Sequence, residues 1–153
     1  MASYQILGDI VAYNIIRTHL KRLPYKQTNG KFNRFDTAFE VISLPYFISA
    51  MRKYTKVNKN VLLAIGTNDI ARKYFSQKSV GYYNLLVELL TMIYEKGAEK
   101  IAIILPLISG TVVSSIESFN KYSELISTFK KLQSSFNNIV FIDLSEFIGR
   151  TSR

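Results

Sequence analysis

The sequence predicts one three-layer α/β domain built on a five-stranded parallel sheet with a flavodoxin-like strand order. Five short apolar runs alternate with longer stretches of helical periodicity along the chain. Such alternation is typical of parallel sheets with helices on both faces. The runs at residues 61–65 and 100–105 also lack polar alternation, as strands covered on both faces do. A chain of 153 residues has the size of one domain, so we expect a single domain over residues 1–153.

The first strand and helix lie at the N-terminal end of the chain. Residues 4–7 form a short apolar run that ends at Gly8-Asp9. From Ile10 to about residue 22, apolar side chains recur at helical spacing, and Pro24 ends this helix. Residues 25–36 are rich in turn-forming and basic residues, which predicts an exposed loop or a short hairpin.

A second strand and a short helix follow, and the third strand comes after a polar turn. We predict the second strand at residues 39–44, because this run is apolar. Pro45 suits the first turn of a helix, which we expect to end near residue 55. Residues 56–60 form the polar turn before the third strand, residues 61–65.

The C-terminal half contains the two longest predicted helices. Residues 79–96 carry leucines on one helical face, and Gly97 is a suitable C-terminal stop. The fourth strand covers residues 100–105, and a helix over residues 113–136 leads to the last strand at residues 139–144.

Ligands of open parallel sheets bind beyond the carboxyl ends of the strands. Five loops of this chain belong to that edge of the predicted sheet. They are residues 8–10, 44–47, 66–69, 106–111 and 143–147.

Two of these loops carry a distinctive pattern. Gly8-Asp9-Ile10 follows the first strand, and Gly66-Thr67-Asn68-Asp69 follows the third strand about sixty residues later. The pattern resembles the SGNH (GDSL-like) hydrolase family, whose first block is Gly-Asp-Ser and whose third is Gly-Thr-Asn-Asp at the same places. Leu105-Pro106-Leu107 after the fourth strand is also similar to that family. The resemblance implies an SGNH-hydrolase-like sheet over nearly the whole chain.

The resemblance also implies a mechanism whose parts are missing here. In the family, a serine attacks an acyl carbonyl and a histidine takes its proton, while amides and an asparagine hold the oxyanion. Ile10 stands at the serine position, and Tyr46 falls where the second-block glycine is expected. The final Asp-x-x-His block is absent, and His19 lies inside the first helix. Asn68 alone keeps its family position, so we expect a protein that is not an enzyme.

The remaining residues of these blocks have simpler interpretations. Gly8 and Gly66 suit tight strand-to-helix turns. Asp9 and Asp69 suit helix caps or hydrogen bonds to loop amides. Two carboxylates without a phosphate loop are weak evidence for Mg²⁺, so we predict neither a metal nor a cofactor.

The positive charge is concentrated in the N-terminal part of the chain. The net charge is +9; residues 1–60 hold ten Lys and Arg against three Asp and Glu, which gives +7. Arg17 and Lys21 share one helix face, as do Arg52 and Lys56, and we expect the two groups to merge into one basic face that attracts polyanions. The candidate nucleic-acid-binding residues are Arg17, Lys21, Arg22, Lys26, Lys31, Arg34, Arg52, Lys53, Lys56 and Lys59.

Binding of RNA or single-stranded nucleic acid through this basic face is the leading functional hypothesis. Phe32 and Phe35 are candidates for stacking on unpaired bases. The resemblance extends in kind to SGNH-like domains that have lost their catalytic residues and bind RNA.

Two other functions stay open. One is a protein-interaction or structural module with an acidic partner or a second copy, in which the apolar loop residues Tyr46, Phe47 and Ile108 make the contact. The other is binding of a small ligand beside Asn68, which we rank lower because Ile10 and Tyr46 are expected to fill that cleft.

The expected location is intracellular, cytoplasmic rather than nuclear. The chain has no cysteine, no recognisable secretory signal and no apolar run of the roughly 18 residues that a membrane span requires.

Overall fold

Five parallel strands form one sheet in the computed structural model, which describes residues 4–19, 36–67, 69, 79–106 and 116–144. The strands are β1 (Gln5–Gly8), β2 (Thr37–Ala38), β3 (Asn60–Ala64), β4 (Lys100–Ile104) and β5 (Ile139–Ile142). Their order is β2-β1-β3-β4-β5, and every neighbouring pair is parallel. This is the flavodoxin-like order, so the predicted fold class is confirmed.

Four α-helices connect these strands within the described residues. They are α1 (Ile10–Asn14), which continues as a π-helical turn (Ile15–His19), α2 (Leu44–Met51), α3 (Ser79–Glu95) and α4 (Ile116–Lys130), followed by a 3-10 turn (Lys131–Ser134). Each helix lies where the apolar periodicity predicts one. The C-terminal end of the first predicted helix and the N-terminal end of the last fall outside the described residues.

The sheet separates two apolar clusters. Strand side chains alternate between them, so that Leu7 and Leu63 belong to one cluster and Ile6 and Ala64 to the other. The first cluster contains the buried residues of α2, α3 and α4, and the second contains those of α1. We call these sides of the sheet the three-helix face and the α1 face. Helices on both faces make the predicted three layers.

The prediction for the second strand was wrong in position. The strand is Thr37–Ala38, which pairs with Leu7 and Gly8 of β1, whereas residues 39–43 form the connection to α2. Ile42 and Leu44 are buried in the cluster of the three-helix face. The apolar run that suggested a strand is therefore core packing under α2.

Asp36 corrects a second expectation. This residue was predicted at the end of an exposed loop, but it is buried. Its carboxylate accepts a hydrogen bond from the Ile6 amide at 2.9 Å, which joins the chain before β2 to β1. Residues 25–35, the rest of the predicted loop, lie outside the described residues.

Gly8 brings the turn after β1 close to β3. Its φ is +152°, and a Cβ atom there would lie 1.9 Å from the carbonyl oxygen of Ala64. The same carbonyl accepts a hydrogen bond from the Asp9 amide at 2.8 Å. Only glycine lets the two backbones approach so closely, and this approach fixes the carboxyl edge of the sheet where α1 begins.

Candidate functional site

Asp9 joins the loops that follow β1 and β3. One carboxylate oxygen, Oδ1, accepts a hydrogen bond from the Val11 amide at 3.0 Å and so caps α1. The other, Oδ2, accepts one from the Thr67 amide at 3.1 Å. Burial raises the pKa of Asp9 to about 7, although the two amides oppose the shift, and the negative charge of Asp69 adds to it.

Asp69 joins the loop after β3 to two helices at the same edge. Its carboxylate oxygens accept hydrogen bonds from the Leu44 amide at the start of α2, at 3.1 and 3.3 Å. The hydroxyl of Tyr82 in α3 donates to Oδ2 at 2.7 Å. Burial raises the pKa of Asp69, while the Tyr82 hydroxyl lowers it. Both aspartates of the sequence pattern are thus engaged with loop amides and a helix hydroxyl.

These contacts favour the structural interpretation of Asp9 and Asp69. A carboxylate that accepts two or three hydrogen bonds has its oxygens directed at protein donors rather than at an ion. Among the residues that the structure describes, no three His, Asp or Glu side chains come together in a way that could hold a metal ion.

Ile10 is the first residue of α1, where the resemblance places a nucleophilic serine. Its side chain is half-buried and packs against the cluster of the α1 face. An aliphatic side chain has neither a proton to give up nor an oxygen with which to attack. Asn68 and the parts of the carboxyl-edge loops beyond Pro106 and Leu144 lie outside the described residues.

Two aromatic residues of α2 differ from expectation. Tyr46 was expected to fill the old substrate cleft, but its side chain is 74% exposed. Phe47 was expected to contact a partner, but it is fully buried and meets Phe39 edge to face. Helical periodicity explains both, because neighbouring residues of a helix point in directions about 100° apart. Ile108 lies outside the described residues.

Comparison with solved structures decides the fold. The chain superposes on the OSK domain of Drosophila Oskar with a TM-score of 0.69 at 12% identity, covering 94% of this chain and 65% of that one. It superposes on a GDSL-like lipase from Bacteroides thetaiotaomicron with a TM-score of 0.62 at 15% identity, covering 90% and 66%. The chain has an SGNH-like fold.

A third structure agrees with this result. A member of the lipolytic G-D-S-L family from Veillonella parvula matches the SGNH-like domain with a TM-score of 0.58 at 19% identity, covering 91% of this chain and 75% of that one. No protein-family profile and no curated protein matches the sequence. The domain spans 65% of the Oskar chain on which it superposes. Among the described residues, no helix is long and apolar enough to cross a membrane.

Arg17 is exposed on the π-helical turn that extends α1 of the SGNH-like domain. Its guanidinium lies over the Tyr13 ring, with 5.6 Å between Cζ and the ring centroid. Nη1 also donates to the Tyr13 hydroxyl at 3.5 Å. The other candidates of this region lie outside the described residues: Lys21, Arg22, Lys26, Lys31 and Arg34, with Phe32 and Phe35.

The four remaining candidates lie between the end of α2 and the start of β3, at the amino edge of the sheet. Arg52, Lys53, Lys56 and Lys59 are all exposed. Arg52 forms an ion pair with Glu88 of α3 at 2.8 Å, and Lys59 lies 3.9 Å from Glu99. The side chains of both cations remain more than half exposed, at 58% and 76%. Exposed pairs of this kind are weak, so these cations keep access to solvent.

Lys100 lies at the same edge. The carbonyl oxygen of Lys59 accepts hydrogen bonds from the amides of Glu99 and Lys100 at 2.7 and 2.9 Å, so the turn before β3 contacts the start of β4. Sequence reasoning missed Lys100 because it is about forty residues from the others. The parallel pairing of β3 with β4, which places the starts of the two strands side by side, indicates that Lys100 belongs with them. We call Arg52, Lys53, Lys56, Lys59 and Lys100 the amino-edge cluster.

Arg17 and the cations that follow α2 belong to different faces of the sheet, whereas Lys100 of the amino-edge cluster lines the α1 face. α1, which leads to Arg17, packs on the α1 face, and α2, which leads to Arg52 and Lys53, packs on the three-helix face. A single basic face that includes both groups therefore stays a prediction, and an experiment must treat the two groups separately.

Proposed function

We propose that this SGNH-like domain is non-catalytic and binds RNA or other single-stranded nucleic acid. The observation that carries the proposal is the concentration of exposed cations at one edge of the sheet, in a chain whose net charge is +9. Clustered cations neutralise phosphates, and release of counterions drives such binding. The resemblance to SGNH-like domains that lack the catalytic residues and bind RNA supports the same function.

The carboxyl edge supports the non-catalytic part of the proposal. Ile10 occupies the position of the nucleophile, and Asp9 and Asp69 hold loops together. The sequence contains one histidine, His19, nine residues beyond Ile10. Ile10 begins α1 and His19 ends the π-helical turn that continues it, so the two backbone positions are more than one helical turn apart, an arrangement that does not favour a nucleophile and its base within hydrogen-bond reach.

Fluorescence anisotropy with a labelled single-stranded RNA and a labelled DNA duplex, each of mixed sequence, tests the proposal over a salt series. We expect the logarithm of the RNA affinity to fall linearly with the logarithm of salt concentration, with a slope of about −0.7 for each phosphate contact. We expect Lys53→Glu with Lys56→Glu, and separately Arg17→Glu with Lys21→Glu, to weaken RNA binding at least roughly tenfold and to reduce the slope.

Lys130→Glu with Lys131→Glu is the matched control. Lys130 ends α4 and Lys131 begins the 3-10 turn before β5. Both are exposed and lie toward the β5 end of the amino edge, with α3 between α4 and α2, while the change in charge is the same. If the control weakens binding as much as the other pairs do, net charge rather than a site is responsible. If the wild-type chain does not bind RNA even at low salt, the proposal is wrong.

A protein-interaction module is the second candidate, and two side chains favour it. Tyr46 and Val41 are 74% and 54% exposed and belong to α2 and the segment before it. Exposed large apolar residues close together in the chain are typical of a contact surface. Sedimentation over a concentration series distinguishes this function: a dimer that is insensitive to salt and is lost on Tyr46→Ser supports contact with a second copy.

A further inference from the structure

The two faces of the sheet are covered unequally in the described residues. Three helices pack on the three-helix face, whereas α1 packs on the α1 face against β1, β2 and β3. Beyond α1, the side chains of β3, β4 and β5 form the floor of a cleft of about 360 Å³. The cleft is lined by Tyr4, Leu62, Lys100, Ala102, Val140 and Ile142.

The exposure of Val140 shows that the cleft is open on its β5 side. This residue is 45% exposed, although its neighbour Ile139, which points to the three-helix face, is 7% exposed. Parallel sheets normally have both faces covered, because their strands are apolar on both sides. Among the described residues on the α1 face of these strands, Ala64, Ala102 and Ile104 are buried, whereas Val140 is exposed and Leu62 and Ile142 are partly exposed. The open part of this face is therefore the cleft beside β5.

The width of the cleft fits one helix. Strands in a sheet lie about 4.8 Å apart, so β3 and β5 are separated by roughly 10 Å, and an α-helix with its side chains is about 10–12 Å across. On the opposite face, α3 and α4 cover the corresponding strands.

The charges around the cleft favour one kind of helix. Among the described residues that line it, Lys100 is the only charged one, and Arg17 is exposed on the π-helical turn after α1, on the same face. A second copy of a chain with net charge +9 would be repelled and would place Lys100 near a copy of itself. A helix with carboxylates on its polar side would be attracted instead.

We propose that the α1 face of β3, β4 and β5 is a docking surface for one amphipathic helix of a partner protein, with apolar side chains toward Val140 and acidic ones toward Lys100. This surface is distinct from Tyr46 and Val41, and it shares Lys100 with the amino-edge cluster. The contact is a helix-in-groove interaction, with apolar residues of the partner helix at spacings of three and four.

A designed peptide tests the proposal with the full chain. The probe is a fluorescein-labelled, 18-residue helical peptide with leucines at positions i, i+3, i+4 and i+7 and glutamates on the opposite side. A second peptide of identical composition has its leucines distributed around the helix. We expect the amphipathic peptide to bind at least roughly tenfold more tightly, because only this peptide presents a continuous apolar face.

Substitutions in the chain locate the binding site of the peptide. Val140→Glu places a charge on the cleft floor at a half-exposed position of an end strand, and we expect it to weaken binding at least roughly tenfold. Val41→Glu is the matched control, since Val41 is also exposed but lies between β2 and α2. We expect the Lys100→Glu variant to bind a peptide with lysines in place of the glutamates more tightly than it binds the glutamate peptide. Unfolding in urea verifies that each variant is folded.

Three outcomes would overturn the proposal. The first is equal affinity for the two peptides, or equal loss with Val140→Glu and Val41→Glu. The second is a dimer of the wild-type chain that Val140→Glu makes monomeric, which would assign the cleft to a second copy. The third is peptide binding that occurs only when Phe147 and Ile148 are replaced by serine, which would assign the cleft to the chain's own C-terminal residues.

Discussion

Asp9 shows how one side chain organises the carboxyl edge of this domain. It caps α1 through the Val11 amide and holds the loop after β3 through the Thr67 amide. The cost of this arrangement is desolvation of a carboxylate, which accounts for the raised pKa. Asp9 therefore joins two loops through hydrogen bonds, and its raised pKa places its protonation near neutral pH.

The titration of Asp9 predicts a pH dependence of stability. Its pKa in the folded chain is about 7, above the ordinary value of 3.8, so the folded state binds this proton more tightly than the unfolded state does. Its contribution is fully present below about pH 4 and is lost as the pH rises through 7. For an isolated group with this shift, the free energy of unfolding falls by about 2–3 kcal/mol between pH 5 and pH 8, and Asp69, whose pKa is also raised, acts in the same direction.

Urea unfolding at pH 5, 6, 7 and 8 measures this dependence. We expect Asp9→Asn to flatten it, because asparagine does not titrate. This variant should also be less stable at pH 5, because its amide group brings a donor toward the Thr67 amide. Glu124→Gln, at an exposed position of α4, should keep the wild-type slope. An unchanged slope in Asp9→Asn would show that other groups cause the dependence.

At the scale of elements, α2 and the residue that follows it show that core packing and a surface ion pair contribute separately to stability. Phe47 is fully buried against the core of the three-helix face, whereas Arg52, just after the helix, pairs with Glu88 at the surface. We expect Phe47→Ala to lower the free energy of unfolding by about 3–5 kcal/mol and Arg52→Ala to lower it by about 1 kcal/mol or less. Equal losses in urea unfolding would contradict this assignment.

Some elements could be predicted from the sequence and others could not. β3 and β4 are continuous apolar runs in the centre of the sheet, and their pattern matches their burial. β2 is two residues long, Thr37 and Ala38, and its neighbouring apolar run packs under α2 instead. A hydropathy pattern indicates that a segment is buried, but it does not distinguish a short strand from the core-facing connection beside it.

The candidate site was less predictable than the fold. Adjacency in sequence suggested that Tyr46 and Phe47 act together, but the helix turns one to solvent and the other to the core. The contacts of Asp69 with Leu44 and Tyr82 join residues that only the folded sheet brings together. Lys100 likewise joins the amino-edge cluster through parallel pairing of β3 and β4.

At the scale of the whole molecule, the fold is SGNH-like, whereas Ile10 stands where the resemblance places the nucleophilic serine. We expect the wild-type chain to hydrolyse p-nitrophenyl acetate no faster than a similarly basic control protein does. Ile10→Ser should remain within about twofold of wild type, because a serine without a base is a weak nucleophile. Release of p-nitrophenol at pH 7 to 9 measures both rates. A burst of product with Ile10→Ser would reveal a base elsewhere in the chain and contradict the non-catalytic proposal.

The strand order β2-β1-β3-β4-β5 bears on how the domain forms during synthesis. Once β1 and β2 have paired, each later strand pairs with the strand made just before it or, for β3, with the free side of β1. No strand has to enter between two that are already joined. A chain that is synthesised N-terminus first can therefore add each new strand to an edge of the sheet. No strand pair formed earlier has to open.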